Sequence, residues 1–156
     1  MSSITTSNKI VDEMKTAWTT DPKIDGGFYF GWPQEVDDIH SKKLPLMVLN
    51  PPQMSISTNA FNSNTILINS NWTLTAYRLN DTASTNYLDI LDLWDGLEDD
   101  VLSWFYIWWY EFADDGNDFV MTAPIQITRT KDASNDRLLG LKITFGFDFY
   151  RYCKDV

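Results

Sequence analysis

The chain has 156 residues, a formal net charge of −10, one Cys and one His. That length is expected to form a single domain over residues 1–156, able to bury a core without a disulfide or structural metal, and the lone Cys153 and His40 exclude a Cys/His zinc site. Eleven of the 22 acids lie within residues 79–128, which contain no Lys or Arg, so the acidity belongs to one segment, and such a surface repels nucleic-acid phosphates.

Residues 1–8 are polar and lack the basic and apolar regions of a secretory signal. Ile10, Val11, Met14, Ala17 and Trp18 then recur at helical spacing and predict a helix over about 7–19. Asp21-Pro22 and Gly26-Gly27 end it. The aromatic run Phe28, Tyr29, Phe30, Gly31, Trp32 predicts a short strand stopped by Pro33, with core or interface packing as its expected role. His40 lies beside Asp37 and Asp38 and has the chemistry of a general base, but nothing in the sequence supplies a nucleophile or an oxyanion hole. Residues 44–49 predict a buried strand, closed by Asn50-Pro51-Pro52, and a second short strand is expected from Met54 to Ser57. Residues 65–79 predict one long strand or two, with Trp72, Leu74 and Ala76 on one face and Thr73, Thr75 and Tyr77 on the other.

The longest helical pattern covers about 84–113. Taking 100° per residue from Tyr87, Ile90, Leu91, Trp94, Val101, Leu102, Phe105, Trp108, Trp109 and Phe112 fall within about 60° of one direction, the expected core face. Asp89, Asp92, Asp95, Asp99 and Asp100 fall outside it, as for a solvated face. Two features depart from this pattern. Glu98 points into the apolar stripe, where an unpaired carboxylate is costly, so a partner or a break at Gly96 is expected, the break being preferred. Trp104, Tyr106, Ile107 and Tyr110 lie outside the stripe, so the helix is apolar nearly all round near its end, and these four are expected at a subunit interface. A metal bound by Asp92, Asp95, Glu98 and Asp99, or an acid/base pair of Glu98 with Asp95, is the sharper chemical alternative. The expectation is nevertheless no enzymatic activity, no catalytic residue, no metal and no cofactor. The apolar run 101–113 is too short to span a bilayer, and no membrane contact is expected.

Asp114-Asp115-Gly116-Asn117-Asp118 reads as a turn. Residues 119–130 predict an edge-like strand interrupted by Pro124, and 131–136 a hairpin tip. Leu139, Leu141, Ile143, Phe145, Phe147 and Phe149 then alternate with Gly140, Lys142, Thr144, Gly146, Asp148 and Tyr150, the clearest strand of the chain. The order predicts an α+β fold: a mostly antiparallel β-sheet with the long helix (84–113) and the N-terminal helix (7–19) packed on one face.

Leu44-Pro45-Leu46-Met47-Val48-Leu49 with Pro51-Pro52, the amphipathic helix from Tyr87 to Phe112, and the ending from Gly140 to Cys153 together resemble the small ring-forming proteins at the head-to-tail connection of tailed bacteriophages: tail-terminator, tail-completion and neck proteins. The aromatic density and the abundance of Asn, Ser and Asp also resemble proteins of crAss-like phages. The resemblance implies a structural virion protein assembled in the bacterial host cytoplasm. Its partners would be further copies of itself in a homo-oligomeric ring and the neighbouring portal, neck and tail proteins, with DNA passing through the lumen without specific nucleic-acid binding. A carbohydrate-binding or other interaction module, using Trp32 or Trp72, is the competing expectation.

Overall fold

Alternation of large apolar and small or polar side chains over Leu138–Tyr152 builds a strand with one face for the core, and everything else is laid on or beside it. The computed structural model describes residues 7–35, 42–56, 65–80, 87–114, 119–131 and 138–152. In chain order these form α1 (Ser7–Thr19), β1 (Gly27–Phe30), a 3-10 turn (Pro33–Glu35), β2 (Leu46–Leu49), β3 (Gln53–Ile56), β4 (Thr65–Leu79), α2 (Tyr87–Asp114), β5 (Phe119–Lys131) and β6 (Leu138–Tyr152). The fold is α+β. Six strands make one sheet in the order β1-β2-β4-β6-β5, with β3 pairing β4 beyond the end of β2. All pairings are antiparallel except β1 with β2.

Residues 65–79 are one strand, not two, and pair with β6 from Thr65↔Tyr152 to Leu79↔Leu138. This register sets Ile68, Ser70, Trp72, Leu74 and Ala76 opposite Phe149, Phe147, Phe145, Ile143 and Leu141, so ten side chains share one face. Trp72, Phe145 and Phe147 stack there almost in parallel, with centroids 5.6 to 6.5 Å apart. Ser70 is the polar member of that face, and its burial is explained by its bonds. The Trp72 indole N–H donates to Ser70 Oγ (2.8 Å), and the Ser70 hydroxyl donates to the Phe147 carbonyl (2.7 Å), so no polar atom of the group is left unpaired. The pairing of β5 with β6 shifts register on both sides of Ala123, next to Pro124, which cannot donate to the ladder.

Both helices cover this face. Helix α1 buries Ile10, Met14, Ala17 and Trp18, and the Trp18 indole N–H donates to the Gly27 carbonyl at the start of β1 (2.7 Å). Gly26 is needed beside it, because a Cβ there would collide with the Pro45 carbonyl oxygen and lie 2.7 Å from Trp18 Nε1.

Helix α2 runs unbroken through Gly96, so the break expected there does not occur. Its buried residues are Ile90, Trp94, Leu97, Val101, Trp104 and Trp108. By the same 100° arithmetic these centre about 60° away from the expected direction, on the side toward α1. One rotation therefore accounts for Glu98 at the rim of the buried face and for Trp104 within it, while Tyr106 stays outside it. Leu102, expected in the core, is 47% exposed, whereas Trp104, expected at a subunit interface, is 0% exposed within the chain itself. Trp104 meets Trp18 edge to face (6.0 Å), stacks near Trp108 (6.4 Å), and its N–H donates to the Met14 carbonyl of α1 (2.9 Å). For Trp104 the second cover is thus α1 of the same chain, whereas Tyr106 stays 69% exposed. Among the described residues no helix is long and apolar enough to cross a membrane.

Truncating Trp104 removes this packing and leaves a cavity, so Trp104→Ala is expected to lower the unfolding free energy by about 3 to 5 kcal/mol in urea titration. Tyr106→Ala, at a position 69% exposed, is expected to change it by no more than ~0.5 kcal/mol.

Candidate functional site

The acidic segment is where chemistry was anticipated, and the fold divides it between two arginines. Arg129 extends from β5 on the helix-facing side of the sheet, since its neighbour in register is Leu141. Its Nε donates to Glu98 Oε1 and its Nη2 to Asp95 Oδ1, both at 2.6 Å, while its guanidinium carbon lies 5.8 Å from the Trp94 ring centroid. Glu98 therefore has the partner that its position required. The hydrogen bond to Glu98 and the second to Asp95 raise the arginine's already high pKa further, so it is cationic at every ordinary pH. With Glu98 and Asp95 both accepting from one guanidinium, neither is presented as an acid/base pair. The set Asp92, Asp95, Glu98 and Asp99 is not gathered into a cage either: among the described residues no group of three or more His, Cys, Asp or Glu is placed to hold a metal.

Arg78, at the end of β4, approaches the opposite flank of α2. Its Nη1 lies 3.4 Å from the Leu93 carbonyl, a long contact, and would be 2.6 Å from a Cβ at position 96. Gly96 thus gives a guanidinium room to approach the helix backbone. Asp100 lies on this flank, and its pKa is raised: partial burial is the largest cause, Arg78 opposes it, and Asp21 and Asp99 reinforce it. These two arginines were missed in the sequence. A signal was present, because Arg78 and Arg129 are the residues that bound the base-free segment 79–128 on either side.

The four residues expected at a subunit interface separate. Trp104 is core, as described above. Ile107 is half-buried and lines a small hollow of about 220 Å³ with Ala17, Thr20, Asp21 and Pro22 at the end of α1. Tyr106 is 69% exposed on the outer side of α2, where Leu102 accompanies it one turn earlier. The side chain of Tyr110 lies outside the described residues, as do His40 and the carboxylates beside it.

Further exposed apolar side chains lie on and beside β1 and on β3. Tyr29 and Phe30 belong to edge strand β1, Trp32 follows it, and Met54 and Ile56 belong to β3, all at least a third exposed. Phe28 and Phe30 face the helix side and line a cleft of about 310 Å³ with Asn8, Val11, Asp12 and Lys15 of α1, while Tyr29 alternates to the other face. Trp72 is only 1% exposed, so its ring is closed to any ligand.

Arg129→Ala should lower amide protection of Gln126–Thr130 in hydrogen exchange while leaving the β4–β6 ladder protected, since it releases the edge strand from α2 alone. For Asp100 the pKa is raised on folding, so the stability linked to its protonated form is lost as pH rises through the folded-state value. Asp100→Asn is therefore expected to stabilise the protein at pH 7, with the gain shrinking as pH falls, in denaturant titrations at several pH values.

No protein-family model matches this chain, and no curated protein matches it in sequence.

Proposed function

We propose that the protein is a non-catalytic structural subunit that self-associates into a closed ring at the head-to-tail connection of a tailed phage, with DNA passing through its lumen and portal, neck or tail proteins as neighbours. One observation carries most weight. The exposed large apolar side chains include two sets on different elements, Leu102 and Tyr106 on α2, and Tyr29, Phe30, Trp32, Met54 and Ile56 on or just after β1 and on β3, besides Leu79, Leu88 and Ile127 elsewhere. A ring of identical subunits uses a heterologous contact, in which one surface of a copy meets a different surface of the next. Two unlike sticky surfaces satisfy that need, whereas a two-fold dimer needs only one. The acidity of α2 adds support, because a surface of that sign lets DNA pass without holding it. So does the engagement of Asp95 and Glu98 by Arg129, which gives the most suggestive carboxylates a structural task.

A carbohydrate-binding module is the competing reading, favoured by the 43% exposure of Trp32. Against it, Phe30 and Tyr29 alternate to opposite faces of the sheet and cannot form one flat platform with each other. Mass photometry or negative-stain microscopy of the purified protein is expected to show a discrete ring of several subunits. A strictly monomeric species, even when mixed with virion partners, would overturn the proposal, and glycan-array binding lost in Trp32→Ala would replace it with the competing one.

A further inference from the structure

The self-association proposed above leaves open which surfaces meet, and two helix stripes of equal length supply an answer. On α2, Asp99, Leu102, Ser103 and Tyr106 are all exposed and follow one another at i, i+3, i+4 and i+7. On α1, Asn8, Val11, Asp12 and Lys15 have the same spacing and form one wall of the cleft whose other wall is Phe28 and Phe30. Each stripe spans eight residues, about 10.5 Å along its helix. The α2 stripe has a carboxylate at one end and an aromatic ring at the other. The α1 stripe has an amide at one end, an ammonium at the other and the Asp12 carboxylate between them, beside the apolar Val11, Phe28 and Phe30.

Charge decides both the partner and the direction. Helix α2 carries eight Asp or Glu and no Lys or Arg, so packing α2 against α2 of a second copy brings like charges together and is disfavoured. An unlike surface could receive its exposed Leu102 and Tyr106 without that repulsion. The α1/β1 cleft offers Val11, Phe28 and Phe30 to cover them and Lys15 as a cation at the rim. Neither Lys15 nor Asp99 forms an ion pair among the described residues. A parallel arrangement of the two stripes sets Asp99 at Asn8 and Tyr106 at Lys15, and no ion pair forms. The antiparallel arrangement sets Asp99 at Lys15, Leu102 and Ser103 beside Val11 and Asp12, and Tyr106 at Asn8. Ser103 can then donate its hydroxyl proton to the Asp12 carboxylate, and the aromatic ring enters the end of the cleft away from the charge pair.

We propose that the α2 stripe of one copy lies in the α1/β1 cleft of the next, antiparallel to α1, with Asp99 facing Lys15. The contact is heterologous, since the two surfaces share no residue, and repeated from copy to copy it generates a ring where its rotation closes. This inference rests on the proposal that the protein self-associates, and charge reversal separates the failure of one from the failure of the other. Lys15→Glu and Asp99→Lys, each at an exposed site, are expected to keep the native circular dichroism spectrum and to weaken assembly by roughly tenfold or more in mass photometry. Mixing the two variants in equal amounts is expected to restore assembly, because each then meets a surface of opposite charge, and the doubly substituted chain should assemble alone for the same reason. Should either reversal unfold the protein, Lys15→Ala and Asp99→Asn take their place, each expected to weaken assembly. A wild type that is monomeric overturns both proposals. A wild type that assembles while the single variants assemble equally well, or whose weakened single reversals are rescued neither by mixing nor in the double variant, overturns this pairing and leaves self-association standing.

Discussion

The meeting of Trp18 with Trp104 holds the helical layer in place. The two rings contact edge to face, an arrangement worth about 0.5 to 1.5 kcal/mol beyond the area it buries, and each also spends its indole N–H on a backbone carbonyl of a different element. Trp18 reaches from α1 to β1, and Trp104 from α2 to α1. The consecutive elements α1 and β1 and the remote α2 are thereby joined through two side chains, both 0% exposed. The indole suits this task because it combines a large apolar surface with a single directional donor. Its burial costs less where that donor finds an acceptor, as both do here.

With α1 fixed beside it, α2 has only one rotational setting. Its Leu97 and Trp104 flank must turn toward α1, which carries Leu102 and Tyr106 outward and brings Glu98 to the rim facing β5. The arginines then complete the placement from either side. Both come from ends of strands, Arg78 from the central β4 and Arg129 from the edge strand β5, and both reach the helix rather than solvent. An acidic helix is an electrostatic liability when its charges face only one another, and two cations at its flanks reduce that self-repulsion. Contacts as exposed as those of Arg129 add little to global stability, but they set the orientation of the helix and tie down the edge strand.

The surface left over is uneven, and this bears on how the molecule meets others. The outer side of α2 combines an acidic stripe with two exposed apolar side chains, while the sheet edge formed by β1 and β3 is apolar with lysines nearby at 15, 42 and 43. Edge strands such as β3, exposed at all four positions, are contact points by nature, since their free backbone groups can pair with another chain. Self-association through unlike surfaces would use this unevenness, whereas a symmetric contact through α2 works against it.

Much of the architecture was legible in the sequence because it rests on local periodicity. The spacing of Ile10, Met14, Ala17 and Trp18 marked α1 at its observed bounds, and the alternation from Leu139 to Phe149 marked β6 and its core face. Composition alone located the acidic segment. Tertiary structure decided the rest. A helix that is apolar on most of its circumference does not announce which side will be covered, so the setting of α2, and with it the fates of Leu102, Trp104 and Tyr106, depended on where α1 came to rest. The partner of Glu98 was equally hidden, because Arg129 lies 31 residues away and meets it only when β5 pairs with β6. Periodicity reports the angle of a side chain about its own helix or strand; what lies opposite that angle is set by elements far away in the chain.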